Sequence, residues 1–281
     1  MVFLRRACAA NQQYTGGIHM SGEYSEHGSK KMPVVFVGHG SPENALGNND
    51  FARGWEKAAA VLPRPKAILC ISGHWYTDGM RVCSSRHPKQ IFDMYGFSPE
   101  LSNIDYKPEG SPELAARVKE LLPGVRDDEK WGIDHGAWSV LCRMFPKADI
   151  PVVQLSVDRR QGAAEHFEVG RRLAPLRGEG VLILCSGDVV HDIGKVDWEM
   201  DGGFPWAIEF DAWVKERILS GRFDEVVRSY KEAPHAKRAV PTKDHYYPLL
   251  CALGAGAGSE AAVFNEACTL GSISMTSYVL G

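Results

Sequence analysis

Three histidines stand just past the ends of three separate apolar runs. Val34-Val35-Phe36-Val37-Gly38 leads to His39, and Ala67-Ile68-Leu69-Cys70-Ile71-Ser72-Gly73 leads to His74. The run from Val181 through Cys185 continues as Ser186-Gly187-Asp188-Val189-Val190 to His191. Two more occupy similar joints, His135 in Asp134-His135-Gly136-Ala137-Trp138 and His245 in Asp244-His245-Tyr246-Tyr247-Pro248. One imidazole after a strand is ordinarily a hydrogen-bonded structural residue. Five at corresponding joints, two of them beside glycines, point instead to a shared transition-metal site.

The donor type limits the metal. Neutral imidazoles suit zinc, iron, copper or nickel, and not calcium or magnesium. Three of them leave a divalent ion with its full charge, which favours an anionic bidentate ligand such as a catecholate. Asp188, Asp192 and Asp244 lie close in sequence to the histidines. They either enter the donor set, as in the facial triad of non-heme iron oxygenases, or orient an imidazole from behind. His87, His166 and His235 have no such placement, and His19 and His27 fall in a segment without periodicity.

The elements that must position these residues follow from the pattern. Short β-branched and aliphatic runs without polar alternation read as buried, largely parallel strands. Strands are expected over 33–38, 67–73, 151–157, 181–186, 261–266 and 273–279. Helices are expected over 49–61, 111–122, 136–145, 162–176, 206–219, 222–231 and 244–254. Ser111-Pro112-Glu113 supplies an N-cap and a first-turn proline. The alternation predicts an α/β single domain over 32–281, a central mostly parallel sheet flanked by helices. Ligands bind such sheets beyond the carboxyl ends of the strands, which is where the histidines fall. Residues 78–110, rich in proline, glycine and aromatics, read as a long loop beside the site.

Composition narrows the class. The chain has 281 residues, 44% of them hydrophobic, with 32 basic and 35 acidic side chains and a formal net charge of -3. No basic stripe marks a nucleic-acid or anionic membrane surface, and no apolar run reaches the roughly 20 residues of a bilayer span. The seven cysteines form no CxxC pair, and four lie within apolar runs. That pattern predicts a reducing, cytoplasmic setting without a disulfide framework. Residues 1–31 carry Gly, Ser, Asn and Gln without periodicity and read as a disordered extension.

Taken in order, these segments resemble the DODA-type extradiol aromatic ring-opening dioxygenases, the 4,5-DOPA dioxygenase branch of the class III, LigB-like superfamily. The resemblance runs over nearly all of 32–281. It is carried by GHGSPENAL at 38–46, AILCISGHWYT at 67–77 and MYGFSPEL at 94–101, then DHGAWSVLCRMFPKADIPVVQLSVD at 134–158, SGDVVHDIG at 186–194 and DHYYPLLCALGAG at 244–256. It implies oxidative opening of a small aromatic diol by O2 to a muconic semialdehyde, on non-heme Fe(II), with Zn(II) able to occupy the site. It further implies His39, His74 and His245 as metal ligands. His191 is implied as an acid/base group or fourth ligand, and His135 as a second catalytic histidine. Trp75, Tyr76, Tyr95 and Tyr247 are candidates to line an aromatic pocket, with Trp75 and Tyr247 the two expected to bind substrate. One departure stands out: the family commonly reads SGNxVHN, whereas this chain has Asp188 and Asp192, which are expected to raise the pKa of His191. Glu43 stands where relatives often carry Met.

Two other readings fit the same residues. A zinc hydrolase would use the imidazoles to activate water, although no HExxH base is present. A non-enzymatic binding relative would keep the fold without the chemistry. The residues leave the natural diol and the choice between 4,5 and 2,3 cleavage open.

Overall fold

The computed structural model describes residues 31–281, so almost all of the expected N-terminal extension lies outside the described residues. Eight strands form one sheet. From edge to edge they are Arg126–Asp128, Arg81–Cys83, Val152–Asp158, Ala67–Thr77, Val181–Gly187, Val34–Gly38, Ser277–Leu280 and Ala261–Phe264. The four central strands, from Val152–Asp158 to Val34–Gly38, are mutually parallel. Ser277–Leu280 pairs antiparallel with both of its neighbours, and Arg81–Cys83 runs antiparallel to Val152–Asp158.

The apolar runs do not alternate with polar residues because both sheet faces are covered. Val34 and Phe36 enter one core, together with Leu69, Ile71 and Ile183, while Val35 and Val37 enter the other with Ile68, Cys70 and Leu182. Helices Asp50–Val61 and His135–Met144 cover the second face, and Pro112–Leu121, Ala163–Leu173, Pro205–Leu219 and Tyr247–Ala255 build the first. Their starts follow local chemistry: Asn49, Ser111 and Asp134 each accept a backbone N–H of the first turn through the side chain.

Two expectations are refined. The run expected as one strand over 273–279 divides into Ile273–Ser274 and Ser277–Leu280. Ser274 Oγ and Thr276 Oγ1 donate to the buried Asp211 carboxylate at 2.5 and 2.8 Å across this break. The 78–110 stretch is a long excursion as expected, interrupted by Arg81–Cys83, by Lys89–Gln90 and by a short helical turn at Pro99–Asn103.

Candidate metal centre

The parallel register sets the first two histidines side by side. Gly38 pairs with Gly187, and Ser72 with Ser186, so His39 and His74 stand at one level of the sheet. His74 departs from expectation in one respect, because its strand continues to Thr77. Pairing with Val152–Asp158 is interrupted between Ile71 and Tyr76, and His74 projects from that irregular stretch. His245 arrives from elsewhere in the chain. Its segment lies directly over the strand ends: Asp188 N–H donates to His245 O at 3.0 Å. A Cβ on Gly187 would meet His245 O at 2.1 Å, and one on Gly73 would meet Asp244 O at 2.9 Å. Only glycine admits that approach.

Three imidazoles converge. His74 Nε2 is 3.2 Å from both His39 Nε2 and His245 Nε2. Their far nitrogens are all engaged. His245 Nδ1 lies 2.6 Å from Asp244 Oδ2, His74 Nδ1 lies 3.2 Å from Asp93 Oδ2, and His39 Nδ1 lies 2.9 Å from Ser186 Oγ. Ser186 Oγ spends its own proton on Gly136 O at 2.5 Å, so it accepts from His39. Each ring therefore carries its hydrogen on Nδ1 and presents a bare Nε2 lone pair to the other two. Lone pairs do not attract one another. Two metal–nitrogen bonds of about 2.1 Å at a tetrahedral angle separate their nitrogens by roughly 3.4 Å, and at a right angle by roughly 3.0 Å. The residues fit an ion with open coordination positions, and the partners behind them fix the tautomers as a metal site requires.

The charges around the centre are arranged by burial. Burial, then the neighbouring His74, holds His39 well below the ordinary histidine pKa, and burial also lowers His245. Burial lowers His74 as well, but the Asp93 hydrogen bond and the Asp134, Asp93 and Asp244 charges outweigh it, so its pKa rises. Asp93 and Asp244 resist the upward push of burial because the histidines beside them hold both carboxyls below the usual range.

The remaining two histidines flank the triad. His135 opens its helix with its ring 3.8 Å from that of His74, centroid to centroid. Asp93 binds them together: Oδ1 accepts the His135 backbone N–H at 2.9 Å and lies 3.0 Å from His135 Nδ1, while Oδ2 reaches His74. The turn before that helix is fixed by Asp134, which accepts Ser72 Oγ–H at 2.8 Å and also pairs with Gln154. His191 stacks on His245, with centroids 3.6 Å apart and planes within 8°.

Several expectations are changed. Asp188 makes its polar contacts on the His39 side, while a carboxylate oxygen also lies within 4.8 Å of a His191 ring nitrogen. Its Oδ1 accepts Gly40 N–H at 3.0 Å, and its Oδ2 lies 3.6 Å from His39 Nε2. The pKa of His191 falls well below the ordinary value, through burial and then the His245 ring beside it, rather than rising. Asp192 gives its backbone carbonyl to Ser272 Oγ–H and its N–H to Ser272 O. Glu43 caps the excursion, accepting Ser98 N–H at 2.6 Å. Trp75 and Tyr247 are not brought to the imidazoles by any ring contact among the described residues. Trp75 stacks on Trp131 at 5.4 Å, and Tyr247 stacks on His166 at 4.1 Å and borders a cavity of about 350 Å³. Neighbouring strand residues point to opposite faces, so a strand that aims His74 at the centre turns Trp75 away. Tyr95 is 90% exposed.

A parallel-cored sheet ending in a cluster of imidazoles can hold a metal ion at its strand ends. Residues 27–281 match the model of the catalytic LigB subunit of aromatic ring-opening dioxygenases, and the chain belongs to that family. It is 44% identical over 260 residues to the 4,5-DOPA dioxygenase extradiol of Escherichia coli (strain K12), covering 90% of this chain and 96% of that protein. The Beta vulgaris 4,5-DOPA dioxygenase extradiol is 40% identical over 255 residues, covering 87% and 95%. The crystal structure of an uncharacterized Escherichia coli K12 protein superposes with a TM-score of 0.75 at 39% identity, over 89% of this chain and all of that one.

Proposed function

We propose that this protein opens the ring of a DOPA-like catechol by extradiol cleavage with O2, giving a muconic semialdehyde. The convergence of the His39, His74 and His245 Nε2 atoms carries this reading. The names of the relatives at 40% and 44% identity favour 4,5 cleavage. Those three nitrogens would hold Fe(II), with Zn(II) able to take the same donors. When bound, the ion supplies positive charge to a catecholate and, as Fe(II), electrons toward O2.

The chain's own residues handle the protons. His191 is held neutral by burial beside His245, so its imidazole is ready to accept a catechol hydroxyl proton. We read it as an acid/base group rather than a fourth ligand. Two rings stacked in parallel keep their lone pairs in two separate planes, and one ion does not lie in both. His135 has Nδ1 against Asp93, which leaves Nε2 for proton exchange with substrate or oxygen. Trp75 braces the strand that carries His74 through Trp131, and Tyr247 braces the helix that follows His245 through His166. Among the described residues no helix is long and apolar enough to cross a membrane, and six cysteines are free, as suits the reducing setting we assign, the cytoplasm.

Metal-stripped protein loaded anaerobically with Fe(II) is expected to take up O2 with L-DOPA or a related catechol. Uptake should match a yellow ring-opened product, whose NMR spectrum reads the bond cleaved. Zn(II)-loaded protein should bind catechol without turnover. If protein with verified iron occupancy consumes no O2 across a catechol panel, the reading gives way to a hydrolase or a binding protein.

A further inference from the structure

Asp188 is tied on two sides to the segments that carry metal-facing histidines. Its backbone N–H donates to His245 O, and its Oδ1 accepts from Gly40, the residue after His39. The residue is 1% exposed, and Oδ2 has no hydrogen-bond partner. A buried carboxylate oxygen without a donor is costly and rare. What it faces is not a donor either. His39 Nε2, 3.6 Å away, carries no hydrogen, because the hydrogen of that ring is on Nδ1 toward Ser186. An ionised Asp188 sets two electron pairs against each other in a buried place, and burial accordingly pushes its carboxyl well above the usual range; a cation between them removes the conflict. Donor atoms of Asp188, His191 and His245 also lie within 4.8 Å of one another.

We propose that Asp188 Oδ2 is a fourth, anionic ligand to the ion held by His39, His74 and His245, an inference that rests on the three-histidine centre described above. The 3.6 Å from Oδ2 to His39 Nε2 is a few tenths of an ångström from the roughly 3.4 Å between donors on one tetrahedral ion, and the side chain has farther to close on the His74 and His245 nitrogens. The consequence is electrostatic. The donor set becomes negatively charged, so a divalent ion keeps one net positive charge instead of two. A hard oxygen donor also moves the site's preference toward Fe(II) and away from soft-ligand metals. A singly deprotonated diol then neutralises the centre.

The test uses the full chain loaded with Co(II) or Zn(II). Co(II) d–d absorption reads coordination, and competition with a chromophoric chelator reads affinity. Asp188→Asn keeps the acceptor for Gly40 and removes the charge. It is expected to shift the Co(II) bands and weaken Zn(II) binding at least ~10-fold, the scale on which groups around a metal act. Asp188→Ala should weaken binding further. Unchanged bands and affinity in folded Asp188→Asn would overturn the proposal. Should both variants misfold, a crystal structure of the Zn(II)-loaded wild type decides: Oδ2 about 2.0–2.2 Å from the ion supports ligation, and a distance beyond about 3 Å excludes it. His74→Ala separates the two levels of the argument. If it retains wild-type affinity, the three-histidine centre itself fails. If only the Asp188 variants do, the centre stands and the fourth ligand does not.

Discussion

His74→Ala is expected to abolish metal retention and ring opening together. His74 Nε2 is the atom common to both short contacts of the triad, so its loss breaks both and leaves two imidazoles, His39 and His245. Two imidazoles do not hold a divalent ion against dialysis as three do, and the affinity loss should exceed the roughly 10- to 100-fold that accompanies loss of a group behind a ligand. Asp93→Asn provides that milder comparison. The amide keeps the shape but not the charge that faces His74 Nδ1 and His135 Nδ1. It should weaken binding by about 10- to 100-fold and slow turnover at saturating metal, since His135 is misaligned too. Metal content after dialysis, measured beside O2 uptake, reads both. A His74→Ala protein that keeps a full equivalent of metal would refute the assignment of the centre.

Gly170→Ala is expected to destabilise the fold, against the usual rule. Within a helix, Ala is ordinarily better than Gly by up to about 1 kcal/mol. Gly170 lies in Ala163–Leu173, where a Cβ would sit 2.0 Å from Cys251 O and 2.8 Å from Ala255 N. From the other side, a Cβ on Gly254 would sit 1.9 Å from Phe167 O. The two helix backbones touch, and neither can yield without moving the other. Overpacking of this kind costs about 1–3 kcal/mol or more, which for a domain of this size lowers Tm by roughly 2–4 °C per kcal/mol. The helix pushed aside, Tyr247–Ala255, begins two residues after His245. Metal affinity should therefore fall with Tm. Thermal unfolding with and without Zn(II) checks both, and a raised Tm would show that the helices can separate at little cost.

What the sequence exposes and what it hides follow from distance along the chain. The strand cores and three of the five histidine positions are legible because an apolar run leading to His is a local pattern. His245, which closes the triad, was legible less as a pattern than as one more histidine at a joint. Asp93 was not legible at all. It lies in an aperiodic excursion, and its role depends on contacts with residues 19 and 42 positions away or more, His74 and His135. The sequence places Asp188 beside His191 but not its further contacts, and burial rather than its charge decides the His191 pKa. The turn after Gly187 directs Asp188 toward Gly40 and His39. Trp75 and Tyr247 show the same limit, since adjacency to a ligand on a strand or at a helix start puts a ring on another face.

The Val34–Gly38 strand, which delivers His39, has consequences for the order of folding. Its two sheet partners are Val181–Gly187 and Ser277–Leu280, so nothing within the next hundred residues can pair with it. A nascent chain emerging from the ribosome must keep this β-rich segment unpaired until most of the polypeptide has been made. Contacts of such long sequence separation are slow to form and leave apolar strand edges open to other chains meanwhile. Yield in a heterologous host should thus depend on translation rate and temperature more than on the stability of the finished protein.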